Sequence, residues 1–265
     1  MKNWDDYYKN KYKYRPWKKW LYVRKLKKEA QYMEQRLDFI KRKFDWGVCE
    51  ECKDRTEFHN SQDDLDELFN VMSLKNMCEI NNISNLVGFV TFAGMDLFTM
   101  YIHLINAEDN RERKFFSRLI CMNMYELTED ILQLLGNDKD KETGRLIGIR
   151  QMVQDIEDDV LTKELKELSS KWYGFWNETT KCKTYQDIRN ITVAHKDHIF
   201  SKQYDSLKAI SWGQVMKDFE EFRIIYDETN TFIGHFMIKN HKKFRHDMDY
   251  LIEKAKSGDY SHLHN

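Results

Sequence analysis

Very little in this chain interrupts regular structure. It has one proline and ten glycines in 265 residues, and the two-residue alternation of a half-buried strand is nearly absent. A sheet-built fold is therefore disfavoured, and the abundance of Leu, Met, Lys, Glu and aromatics favours helix. No glycine-rich phosphate cradle, nucleophile elbow or kinase-type signature occurs, which argues against ATP chemistry. Charge of one sign is also missing. The net charge of −1 means that any nucleic-acid surface must come from local segregation of charge.

Cysteine is sparse and unpaired in pattern. Cys49, Cys52, Cys78, Cys121 and Cys182 form an odd, scattered set. The first residues are basic and aromatic without an apolar leader run, so the expectation is no signal peptide and a reducing, cytoplasmic setting. Cys49-Glu-Glu-Cys52 with His59 is half of a zinc signature, but a structural zinc needs four ligands and no second pair lies nearby. Two ordinary thiols in a connector are expected instead. His195 and His198 stand at i and i+3, yet the Glu-x-x-His repeats of di-iron bundles are not present. Neither a metal nor another cofactor is expected. The most apolar run, Ile83–Ile105, approaches membrane-spanning length but carries Asp96 and His103, which suits a central bundle helix better than lipid. No membrane partner is expected.

What the chain does have is a basic, aromatic start. Residues 1–44 hold 15 Lys or Arg against 5 Asp or Glu. In residues 1–22, Trp4, Tyr7, Tyr8, Tyr12, Tyr14, Trp17, Trp20 and Tyr22 interleave with the cations. Cations neutralise phosphates while rings stack on unpaired bases, so Lys11, Lys13, Arg15, Trp17, Lys18 and Lys19 are candidate RNA-binding residues, with Lys196 further along. The same composition also suits a membrane surface, or rings packed on the bundle beneath solvated lysines. "KNHKKFRH", residues 239–246, carries the same ambiguity, and "QDIEDDV", residues 154–160, reads as a solvated helix face.

Beyond Pro16 the spacing of Val23, Leu26, Ala30, Met33, Leu37, Ile40 and Phe44 predicts a helix with one narrow apolar stripe. A connector follows. Ser61 and Asp64 suggest the cap of a helix packing Leu65, Leu68, Phe69, Met72 and Met77. Further helices are predicted near 84–106, 111–135, 141–178, 184–198 and 212–256. The fold expected is all-α: residues 1–60 form a basic, aromatic-rich helical extension with its connector, and residues 61–265 a helical bundle.

One segment breaks the apolar logic. In "DIRNITVAHKD", residues 187–197, a capping box of Thr184 and Asp187 would place the segment in the first turns of a helix. At roughly 100° per residue, Ile191, Thr192, His195 and Ile199 fall within about 60° of Ile188, so His195 sits in the apolar stripe. Arg189 lies about 120° away and roughly one and a half turns below. The two do not share a face automatically, which makes a site built from two chains attractive. Histidine titrates near neutrality and can exchange a proton with a ribose 2′-hydroxyl or a departing oxygen. Arginine stays charged and grips phosphate oxygens as negative charge builds. Asn190 can donate to phosphate or orient either partner. The bland alternative is a satisfied core histidine and an arginine paired with Asp187 or another acid.

Arg189-Asn190, four residues, then His195 resembles the signature of the HEPN superfamily. "RNITVAHKD", with Ala194 before the histidine and Lys196-Asp197 after it, is especially similar to the abortive-infection branch. The resemblance implies a HEPN-like all-α bundle that commonly dimerises with two motifs facing each other. It also implies a metal-independent endoribonuclease acting as a toxin or antiphage effector. Arg189, His195 and Asn190 would be its catalytic residues, and its partners RNA, a second copy, and an antitoxin or regulatory protein. HEPN toxins silenced by a nucleotidyltransferase tend to carry a tyrosine two residues after the histidine; here Asp197 stands there. Some HEPN proteins lack nuclease activity. The alternative function is thus a non-catalytic helical module that binds RNA or protein and uses the motif for dimerisation.

Overall fold

The computed structural model describes residues 3–44, 65–136, 149–177, 179–190, 204–205 and 208–257. Among them are eight helices of seven residues or more and no strand: α1 (Trp4–Lys13), α2 (Pro16–Phe44), α3 (Leu65–Asn106), α4 (Asn110–Leu134), α5 (Arg150–Ile156), α6 (Asp159–Asn177), α7 (Thr179–Ile188) and α8 (Trp212–Ser257). The all-α expectation holds for this part of the chain.

Local chemistry explains where the helices begin. Asn3 caps α1, its Oδ1 accepting from the Asp6 amide at 3.2 Å. Pro16 occupies the first position of α2, where a missing N–H costs nothing. Asp109 caps α4 by accepting from the Arg111 and Glu112 amides at 2.6 and 2.8 Å, and Glu112 reaches back to the Glu108 amide. These amides hold the Asp109 carboxyl below the usual carboxylate range, the Glu112 amide most strongly.

Three expected boundaries differ. The helix expected near 65–77 and the one near 84–106 are a single helix of 42 residues, because no Gly or Pro stands between residues 65 and 87. The helix expected over 141–178 is broken where Glu157 takes the left-handed conformation at φ 57°. There Asp158 accepts from the Val160 and Leu161 amides, both at 3.0 Å, and starts α6 anew. "QDIEDDV" is thus a helix–helix turn rather than a helix face. Finally, α7 already runs from Thr179, so Thr184 and Asp187 lie inside it and cap nothing.

The core is assembled on α3 and α8. The stripe predicted on α2 is the one that packs: Leu26 and Met33 are buried, with Val23, Ala30 and Ile40 against them. Along its length α2 runs against α3, and α3 against α4. Between α3 and α8 the rings of Tyr101 and Phe219 stack with centroids 3.8 Å apart, and Phe98 meets Phe219 edge-on at 5.3 Å. Trp172 of α6 packs edge-on against Phe222 and donates its indole N–H to Thr229 Oγ1 at 2.9 Å. Tyr226 donates to the Val90 carbonyl at 3.1 Å. Its phenol lies where any Cβ at Gly94 would be, so α3 needs glycine there.

The arm docks on the same core. Tyr8 is buried, and Tyr12 and Tyr22 are partly so. Tyr22 and Tyr101 both donate to Glu220 Oε1, at 2.7 and 3.1 Å. Burial first, and then the Glu220 carboxylate, raises the Tyr22 hydroxyl far above an ordinary phenol. At the start of α8, Asp5 accepts from Ser211 Oγ and the Gly213 amide at 2.8 and 2.7 Å. A Cβ at Gly213 would run into the backbone of Trp4 and Asp5. α1 therefore caps α8 from outside it.

Val87–Asn106, within α3, is the one stretch among the described residues long and apolar enough to cross a membrane, and half of it is buried in the protein. Leu97, Phe98, Tyr101 and Leu104 are among its buried residues. His103 stacks on Phe116 at 5.1 Å.

Candidate nuclease-type site at the end of α7

The site begins with how α7 is held. Tyr185 and Ile188 are its buried residues, and they face α4 and α6. The Tyr185 hydroxyl donates to Asp218 Oδ2 of α8 at 2.5 Å, and Gln214 Nε2 donates to the other oxygen at 2.8 Å. Asp218 is 1% exposed, so these donors replace water at its carboxylate. Burial first, then Cys121 and Asp218 nearby, pushes the Tyr185 hydroxyl well up.

Beyond Ile188 the backbone widens into a π turn at Arg189–Asn190, a geometry that proteins often keep at functional positions. The Arg189 side chain is one-third exposed. Its Nε donates to Glu126 Oε1 of α4 at 3.3 Å, and its Nη1 donates to Asn190 Oδ1 at 3.1 Å. The structure thus brings Arg189 and Asn190 together at the surface of the bundle. His195 and Lys196 lie outside the described residues.

Carboxylates crowd the α4 side of this corner. Glu129 Oε1 accepts from the Tyr125 hydroxyl at 2.9 Å, and the Tyr125 ring lies 4.9 Å from Trp176 of α6. Desolvation, with Glu126 and Glu129 adding to it, raises Asp130 above the usual carboxylate range. Arg189 is a cation that Glu126 meets in this corner.

Comparison with protein-family models, with curated proteins and with solved structures finds no match to this chain.

The arm's candidates divide into two sets. Lys11 is exposed, with its ammonium spread over the rings of Tyr7, Tyr8 and Tyr12 at 5.0–5.9 Å. Lys19 is only partly exposed, and desolvation first, with Arg113 adding to it, lowers its ammonium. Lys13, Arg15, Trp17 and Lys18 are exposed. The second basic cluster is docked: Lys239 donates to Asp158 Oδ2 at 2.6 Å and Lys243 to the Asp155 carbonyl. Cys121 is buried, and desolvation raises its thiol. Among the described residues no group of three or more His, Cys, Asp or Glu is placed to hold a metal; Cys49, Cys52 and His59 lie outside them.

Sequence reasoning missed Glu126 and the Tyr185–Asp218 pair. Tyr185 stands one turn before Arg189, so a buried tyrosine there was a readable hint. No local signal pointed to Glu126, which is 63 residues away.

Proposed function

We propose that this chain is a HEPN-type helical bundle and a metal-independent endoribonuclease serving as a toxin or antiphage effector in the cytoplasm. The observation that carries the reading is Arg189-Asn190, four residues, then His195, on an all-helical chain. Arg189 held at a half-open corner by Asn190 and the partly exposed Glu126 carboxylate supports it. His195 takes the proton of a ribose 2′-hydroxyl as that oxygen attacks the neighbouring phosphorus. The 5′-oxygen leaves with a proton from the second copy's protonated histidine or from water, and a 2′,3′-cyclic phosphate remains. Arg189 neutralises the charge that builds on the non-bridging oxygens. Asn190 orients the guanidinium and the substrate. Two copies of the chain, each contributing one motif, complete the site, and an antitoxin or regulatory protein keeps it silent.

The test is cleavage of RNA by purified protein in excess chelator, comparing wild type with His195→Ala and Arg189→Ala. Both variants should lose cleavage, and a strand with 2′-deoxyribose throughout should resist the wild type. Equal cleavage by all three proteins removes the assigned roles.

One observation favours a second reading. The Arg189–Glu126 ion pair is the kind of partner a purely structural arginine would have. In that reading the chain is a non-catalytic module that binds RNA or protein and uses the motif for dimerisation. Dissociation of the dimer in His195→Ala, with no cleavage by wild type, would favour it.

A further inference from the structure

α2 buries one apolar stripe, yet a second row of large side chains faces outward. Trp20, Arg24, Lys28 and Tyr32 follow one another at intervals of four, so they form a single ridge, and Trp17 stands beside its first residue. All five are exposed. Trp17 and Trp20 are each 59% exposed and Tyr32 68%, a large uncovered aromatic area for side chains that normally carry core energetics. Cations lie over the ring faces rather than away from them: Lys18 Nζ sits 5.3 Å from the Trp17 centroid and the Arg24 guanidinium 5.3 Å from that of Trp20.

We propose that this ridge is a binding surface for single-stranded RNA, with bases stacked on Trp17, Trp20 and Tyr32 and phosphates held by Arg24 and Lys28. The proposal rests on the reading of RNA as substrate and supplies the form in which that RNA is held. Unpaired bases offer π-faces that rings can take without sequence choice, and the cations between the rings match the intervening phosphates. From Trp17 to Tyr32 the helix rises about 22 Å, enough for about six nucleotides at a stacked rise of about 3.4 Å. A duplex keeps its base faces covered and cannot use the rings. A membrane surface fits poorly. An interfacial helix needs a continuous apolar face with its cations opposite, whereas here the apolar face is already spent on the bundle and the outer ridge puts two cations between its rings.

The test uses the full chain and a labelled, uncleavable 2′-O-methyl oligonucleotide of about twelve nucleotides, within the span such surfaces cover. Fluorescence anisotropy should report binding of the single strand, weaker binding of its duplex, and no binding to vesicles containing anionic lipid. The double variant Trp17→Ala/Trp20→Ala should bind about tenfold or more weakly. Both rings are exposed, so its helical circular dichroism should be unchanged. Arg24→Gln/Lys28→Gln should flatten the slope of log affinity against log salt by about 1.4. Wild-type affinity in the tryptophan variant overturns the proposal, as does vesicle binding without RNA binding, or equal affinity for duplex and single strand. Cleavage is read separately. If the tryptophan variant loses binding while His195→Ala still cleaves, the ridge stands and the nuclease assignment falls; if His195→Ala stops cleaving and the tryptophan variant binds normally, the reverse holds.

Discussion

The hydroxyl of Tyr185 and the buried carboxylate of Asp218 are 2.5 Å apart, one helical turn before Arg189. This bond ties α7 to α8. A hydrogen bond to a charged group contributes about 1.5–3 kcal/mol, and its loss leaves an acceptor without water. Tyr185→Phe should therefore destabilise the protein by about 2 kcal/mol, measured as a lower urea midpoint at unchanged slope. An unchanged midpoint would mean that Asp218 is satisfied without the tyrosine.

Glu126 Oε1 holds the Arg189 guanidinium that the proposed mechanism needs for phosphate. A partly exposed ion pair with a long 3.3 Å contact contributes about 1 kcal/mol or less to folding, so Glu126→Gln should move the unfolding midpoint little. If Arg189 serves catalysis, releasing it from the carboxylate should raise kcat/KM for RNA about two- to tenfold. Arg189→Ala should lower it about 10²- to 10³-fold. A fall in cleavage on Glu126→Gln would instead make Glu126 a positioning residue for the guanidinium.

These two contacts mark the limit of what the sequence could say. Pro16 at the start of α2, a helix near 111–135 and the Leu26–Met33 stripe were legible because each is written in neighbouring residues. The unbroken α3 was not, since a gap between apolar clusters looks like a boundary even when nothing breaks the helix. The left-handed Glu157 was missed although Asp158 behind it is a good capping residue. In α7 the capping pattern of Thr184 and Asp187 misled, because an identical spacing occurs inside helices that started earlier. Partners across the bundle, such as Glu126 for Arg189, depend on packing and leave no local trace.

Tyr226 occupies the space above Gly94. In Gly94→Ala the phenol must move and its bond to the Val90 carbonyl must break, at a cost of about 1–3 kcal/mol for overpacking. Removing the hydroxyl takes away the nearest clash and the bond that holds the ring in place, so the ring can shift away from the new Cβ. Tyr226→Phe/Gly94→Ala should thus be less destabilised than the sum of the single variants, by about 0.5 kcal/mol or more. Simple additivity in denaturant unfolding would place the strain elsewhere.

Asp158 joins three elements: it starts α6, follows the Glu157 turn, and accepts from Lys239 of α8. The Lys239 hydrogen bond first, then the Leu161 amide, holds its carboxyl below the usual carboxylate range. A carboxyl depressed in the folded state binds its proton more readily when unfolded. Its contribution to stability is therefore complete above the ordinary carboxylate range and is lost as pH falls below that range through the lowered folded value. Urea midpoints taken across this acid window should fall less steeply in Asp158→Asn than in wild type, with Lys239→Met between them. Parallel curves for all three proteins would show that Asp158 is not the proton-linked group. The same turn also receives Lys243 through the Asp155 carbonyl, so Lys243→Met should lower the midpoint equally at every pH. A carbonyl does not titrate, and that contrast separates the loss of a charge partner from the loss of docking itself.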